Sequence, residues 1–165
     1  MILSAVFLNA TVPLQAASYD ETVAQWTSYK DVANWLEKYF TYDYVRSKTD
    51  GSRFNPRPPE QTFELRSGVC HDGAALAKDA LNRINSAYKA KFVFIKNRYG
   101  WPHHWVAACT VDGKLYIIDF SAGSQLQAMM GLHGPYDSLQ DYQNFLAFLN
   151  IPGFKVELVE YRQNK

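Results

Sequence analysis

The stretch HHWVAACTVDGKLYIIDFS, residues 103–121, constrains this chain more than any other. Two runs of mostly aliphatic and aromatic residues flank Asp112-Gly113. An Asp-Gly pair accepts the positive φ angles of a two-residue turn, whose twist matches that of paired strands. The segment must therefore close as an antiparallel hairpin with strands at about 103–111 and 114–121. KFVFIKNRY (91–99) is a third strand, and FKVELVEYR (154–162) alternates apolar and polar residues, which gives a final strand with one wet face.

Helical periodicity occupies much of the rest. In residues 22–40, Val32, Trp35, Leu36 and Tyr39 repeat at the spacing of one helical face, and Ser28 can cap the second part. Residues 41–61, with Asp50-Gly51 and Asn55-Pro56-Arg57-Pro58-Pro59, read as a long loop. From Cys70 to about Ala87, the residues Cys70, Ala74, Ala77, Leu81 and Ile84 share a face. Residues 122–135 read as loop with a possible short helix, and 138–150 as a helix with Ser138 at its N-cap. Helices segregated from an antiparallel sheet make this an α+β fold.

At 165 residues the chain is sized for one domain, and its net charge of +1 gives no electrostatic footprint for nucleic acid or an anionic membrane. The opening MILSAVFLNATVPLQAAS is apolar and uncharged. Its run Ile2 to Leu8 is too short for a stable membrane span. Residues 1–18 read as the remnant of a signal peptide, with Leu14-Gln15-Ala16 as a weak cleavage site, or as an N-terminal strand. Residues 19–165 are then the single domain. Export to a periplasm or medium is the expectation, a cytoplasmic location the alternative.

The chemistry gathers around RSGVCHDGAALAKDAL, residues 66–81. It holds one of only two cysteines, at the start of a helix. A helix N-terminus carries a partial positive charge and unpaired N–H groups, which stabilise a thiolate and can bind an oxyanion. The plain reading of Cys70 is a small core residue. The sharper reading is a nucleophile, and a nucleophile needs a base and an orienting acceptor. His103 and His104 lie in a strand, so one faces the helix and the other away. Asp119, between Ile118 and Phe120 on the partner strand, is a carboxylate that burial alone would penalise and an imidazole would satisfy.

The set GVCHDGA, HHWVA and YIIDFS resembles the transglutaminase-like branch of the papain-like cysteine enzymes. Gly68, Cys70, Asp72 and Ala74 match a Gly-x-Cys-x-Asp-x-Ala pattern; His103 and Trp105 match His-x-Trp; Asp119 matches the acid of the next strand. The upstream WLEKYFTYDY matches the helix that precedes the core, so the resemblance covers about residues 26–122. It implies a papain-like fold, with the cysteine helix packed on an antiparallel sheet. It also implies a Cys70-His103-Asp119 triad with His103 as base, acting as a peptidase, deamidase or acyltransferase on a protein or peptide substrate. Its oxyanion donor beyond the helix would be Tyr42, Tyr44 or Gln61. Trp101, His104, Trp105 and Tyr42 are the candidate substrate contacts, with Tyr99 beside them.

This chain departs from the pattern where Phe120 replaces a proline after the acid. Val69 and His71 stand where a calcium-binding branch has acidic residues, so calcium is not carried over. No cofactor is expected. Cys70, His103, His104 and Asp119 are the donors of a rival zinc site, but they lack ligand pairs at short spacing. Asp72 is expected to satisfy helix N-terminal donors, His71 to lie on the solvated side of the first turn, and Cys109 to be a buried strand residue. The two cysteines could form one disulfide. The rival to an enzyme is a non-catalytic protein-binding module on the same scaffold.

Overall fold

A computed structural model describes residues 17–49 and 55–163. The signal-like reading of the N-terminus therefore falls almost wholly outside the described residues. The elements run α1 (Tyr19–Val23), α2 (Tyr29–Tyr39), β1 (Thr41–Tyr42), α3 (Tyr44–Thr49), α4 (Pro59–Leu65), β2 (Ser67–Gly68), α5 (Cys70–Ile84), β3 (Lys91–Asn97), β4 (His104–Val111), β5 (Lys114–Asp119), β6 (Gly131–Tyr136), α6 (Leu139–Phe148) and β7 (Val156–Arg162).

Strands β3 to β7 form one antiparallel sheet in the order β6-β5-β4-β3-β7. The Asp112-Gly113 turn sets the hairpin register: Val111 faces Lys114, and Ala107 faces Ile118. Asp112 and Gly113 both have the positive φ that this turn requires. Side chains alternate across the sheet. Ala107, Cys109 and Ile118 pack with α1, α2 and α5 on one face. Val106, Ala108, Leu115 and Ile117 pack with Tyr142 and Leu146 of α6 on the other. This is the α+β, papain-like arrangement, with the cysteine-bearing helix laid on an antiparallel sheet.

Helix α5 is buried on nearly every side, not along one face. Its alanines and Gly73 let the sheet approach closely. A Cβ built on Gly73 would lie 2.4 Å from the Ser121 Cβ, so a glycine is needed there. The same packing corrects the expectation for His71, which is 3 % exposed and stacked on Trp105, with centroids 4.3 Å apart. Strand β4 covers the first turn that the helical period alone assigns to solvent.

Other boundaries also differ from the sequence reading. The helix expected over 22–40 breaks at Thr27-Ser28, where the Asp31 carboxylate accepts from both backbone N–H groups at 2.9 Å. The expected loop over 41–61 contains α3 and the start of α4; Pro59 begins α4, where its missing N–H costs nothing. The 122–135 segment holds a short 3-10 helix (Ser124–Met129) and edge strand β6. Gly131, Gly134 and Pro135 disguise β6, but an edge position tolerates them. Among the described residues no helix is long and apolar enough to cross a membrane.

Candidate active site

Parallel pairing of β1 with β2, Thr41 opposite Ser67 and Tyr42 opposite Gly68, delivers the chain to the start of α5. The Asp72 carboxylate accepts from the Val69 N–H at 2.8 Å, the Arg57 N–H at 2.7 Å, and the Arg46 guanidinium at 3.0 and 3.3 Å. Asp72 is fully buried, and a carboxylate survives burial only with such a donor set. Arg57 also donates to the Ser67 carbonyl at 3.2 Å. Asp72 thus does what the sequence suggests, satisfying helix donors, and also ties the segment upstream of α4 to the first turn. The Ser121 hydroxyl donates to the Cys70 carbonyl at 3.2 Å.

Both cysteines are free. Cys70 is half-buried and Cys109 buried. Cys109 lies in the apolar core on the α5 face of the sheet, and burial pushes its thiol up to about 12.

The structure brings His104, not His103, to Asp119. The His104 Nε2–H donates to Asp119 Oδ2 at 2.8 Å, with side chains 1 % and 0 % exposed. The reason is the pleat. With Ala107 opposite Ile118, residues 104, 106 and 108 share a face with 115, 117 and 119, and residue 103 does not. Cys70 acts on the same ring by hydrogen bond and charge. Because Nε2 serves Asp119, Nδ1 is the nitrogen left for the thiol. Burial is the strongest single influence on His104 and favours the neutral ring. The Asp119 charge and hydrogen bond, aided by Cys70, outweigh it and hold the imidazole cationic well above its ordinary range.

His103 stands apart. Its Nδ1 accepts from the Asn97 N–H at 3.2 Å, and its ring meets Trp101 and Phe94 edge-on at 5.6 and 5.4 Å. Burial, then Lys96 and Arg162, push its pKa below the ordinary value. The expectation that His103 partners Asp119 is therefore corrected to His104.

A cleft of about 410 Å³ opens over this group. Cys70, His103 and His104 line it together with Tyr42, Tyr44, Trp101 and Trp105. Tyr44 Oη accepts from the Ser124 N–H at 2.8 Å and pins α3 to the 123–126 segment. Gly123 packs so near Tyr42 that a Cβ there would lie 3.2 Å from the ring. Burial first, then the nearby Cys70, push the Tyr42 phenol up to about 12. Gln61, the third oxyanion candidate, is exposed on α4 and does not line the cleft. Sequence reasoning misses the 123–126 wall, since no local pattern marks a loop that becomes a cleft side. Asp119 Oδ1 and Tyr142 Oη are buried without a hydrogen-bond partner among the described residues. No group of three or more His, Cys, Asp or Glu residues that could hold a metal ion occurs among the described residues.

A family model described as a transglutaminase-like domain matches residues 14–127. No curated protein matches. A solved structure titled "Crystal structure of a TGase" is 17 % identical, with a TM-score of 0.46. That match covers 73 % of this chain and 33 % of the other, so the chain spans about a third of that protein's length.

Proposed function

Because the chain belongs to the transglutaminase-like domain family, we propose that it is a thiol enzyme acting on carboxamides through Cys70, His104 and Asp119. The Cys70 proton rests on the cationic His104 ring, at Nδ1, and the sulfur attacks a peptide or glutamine-side-chain carbonyl. The C–N bond then breaks, and His104 returns the proton to the departing amine or ammonia, leaving a thioester. Asp119 holds the ring in the tautomer that aims Nδ1 at sulfur and stabilises the imidazolium. N–H groups of the first turn of α5 and the Tyr42 hydroxyl hold the oxyanion. Tyr42 is favoured over Tyr44 because its phenol lies near enough to Cys70 to be influenced by it.

Water attacking the thioester gives proteolysis or deamidation; an amine would give cross-linking. Hydrolysis is the reading favoured, because Cys70 is partly exposed in the cleft. The observation that carries the proposal is the buried 2.8 Å His104–Asp119 pair with Cys70 lining the same cleft as His104. The test is incubation of wild type and Cys70→Ala with a peptide library, scoring ammonia release, cleavage and amine incorporation together. Activity in one channel that vanishes in Cys70→Ala is expected. Equal activity in both proteins would overturn the proposal.

A further inference from the structure

The walls of the cleft differ in character from the group at its base. Tyr42, Tyr44, Trp101 and Leu126 supply rings and aliphatic surface. Tyr44 is 48 % and Trp101 55 % exposed, and both line the cleft. Aromatic surface this open is normally covered by a partner. Among the described residues no Asp or Glu lines the cleft, and Lys48 contributes a cation there. The volume, about 410 Å³, exceeds what one carboxamide side chain fills and lies within the range of pockets that take a whole bulky ligand group, roughly 300–1,000 Å³.

Resting on the proposed thiol chemistry, we propose that the occupant of this cleft is an extended peptide segment carrying a bulky aromatic side chain beside the reacting carbonyl, and that basic side chains are excluded. The aromatic group packs against Trp101 and Tyr44. Its gain is burial of ring surface on both, together with ring-on-ring geometry. A lysine or arginine in the same place finds no carboxylate among the described residues and meets Lys48.

Small thiol probes test this without knowledge of the natural substrate. The second-order rate of Cys70 alkylation is measured on the full chain with iodoacetamide, N-benzyl-iodoacetamide and N-(4-aminobutyl)-iodoacetamide. Each rate is divided by that of the same probe with a small free thiol. After this correction the benzyl probe is expected to react about tenfold faster than iodoacetamide, and the aminobutyl probe slower than iodoacetamide. In Trp101→Ala the benzyl-to-iodoacetamide ratio is expected to fall to about one. A wild-type ratio near one, a preference for the aminobutyl probe, or a ratio retained in Trp101→Ala overturns the inference while leaving the thiol chemistry standing. Failure of the chemistry itself has a different signature, a Cys70 that reacts with iodoacetamide at pH 6 no faster than the small free thiol.

Discussion

Replacing Asp119 by Asn should reverse the sign of the environment around His104. The pair stands at 2.8 Å with both side chains essentially sealed from solvent. At an effective dielectric of about 20, the gross attraction at that separation is about 6 kcal/mol, and breaking a buried pair by removing one partner costs about 3–5 kcal/mol. Burial alone is the strongest influence on the ring and opposes its charge. Without the carboxylate it wins, and the imidazole falls below its ordinary value of about 6.5. In wild type the folded value is raised, so the stability that His104 contributes is fully present below about pH 6.5 and is lost as pH rises through the folded value. In the variant the folded value is depressed, so stability falls as pH drops through about 6.5, where the buried ring must charge. Urea unfolding of both proteins between pH 5 and 9 should therefore show a gap that is widest near pH 5, roughly 3–5 kcal/mol, and narrows as pH rises. Ring resonances should report a cationic His104 in wild type and a neutral one in the variant at pH 7. A gap independent of pH, with His104 cationic in both proteins, would refute the reasoning.

Asp72→Ala leaves Arg46 and the Val69 and Arg57 N–H groups without their acceptor. The expected cost is about 3 kcal/mol, read in a thermal melt as a loss of roughly 6–12 °C. Gly73→Ala sets a helix-propensity gain of about 1 kcal/mol against a collision with Ser121 at 2.4 Å. The collision should win, giving a net loss of about 1–2 kcal/mol in urea unfolding and slower Cys70 labelling as Ser121 leaves the Cys70 carbonyl. Tyr142→Phe removes a buried hydroxyl with no hydrogen-bond partner among the described residues, so denaturant unfolding should show stability unchanged or raised by up to about 1 kcal/mol.

The hairpin that carries His104 and Asp119 is legible in the sequence, because Asp-Gly between two apolar runs leaves few alternatives. The identity of the histidine that meets Asp119 is legible too, but only by counting. A two-residue turn at 112–113 pairs Val111 with Lys114, and a period of two then puts 104, not 103, on the face of 119. Matching a His-x-Trp pattern points to His103 because it ignores that count. The Ser138 cap of α6 is read from local chemistry and stands, with its hydroxyl accepting from the Asp141 N–H at 3.3 Å. The Arg46 and Arg57 contacts to Asp72 span 26 and 15 residues, and no local rule announces them. His71 is misread for the same reason: helical period gives a direction around α5, but which neighbours fill that direction is a tertiary fact. Strand β6 is hidden because its glycines and proline are turn residues everywhere except on an edge.

The central claim is that Cys70, His104 and Asp119 form one working unit and that His103 lies outside it. The direct measurement is the iodoacetamide labelling rate of each cysteine at pH 6, resolved by peptide mass mapping, in wild type, His104→Ala and His103→Ala. The account predicts Cys70 labelled at least about tenfold faster than a small free thiol in wild type, that advantage abolished in His104→Ala, and most of it kept in His103→Ala. Loss of the advantage in His103→Ala with retention in His104→Ala, or Cys70 in wild type labelled no faster than the small free thiol, would contradict it.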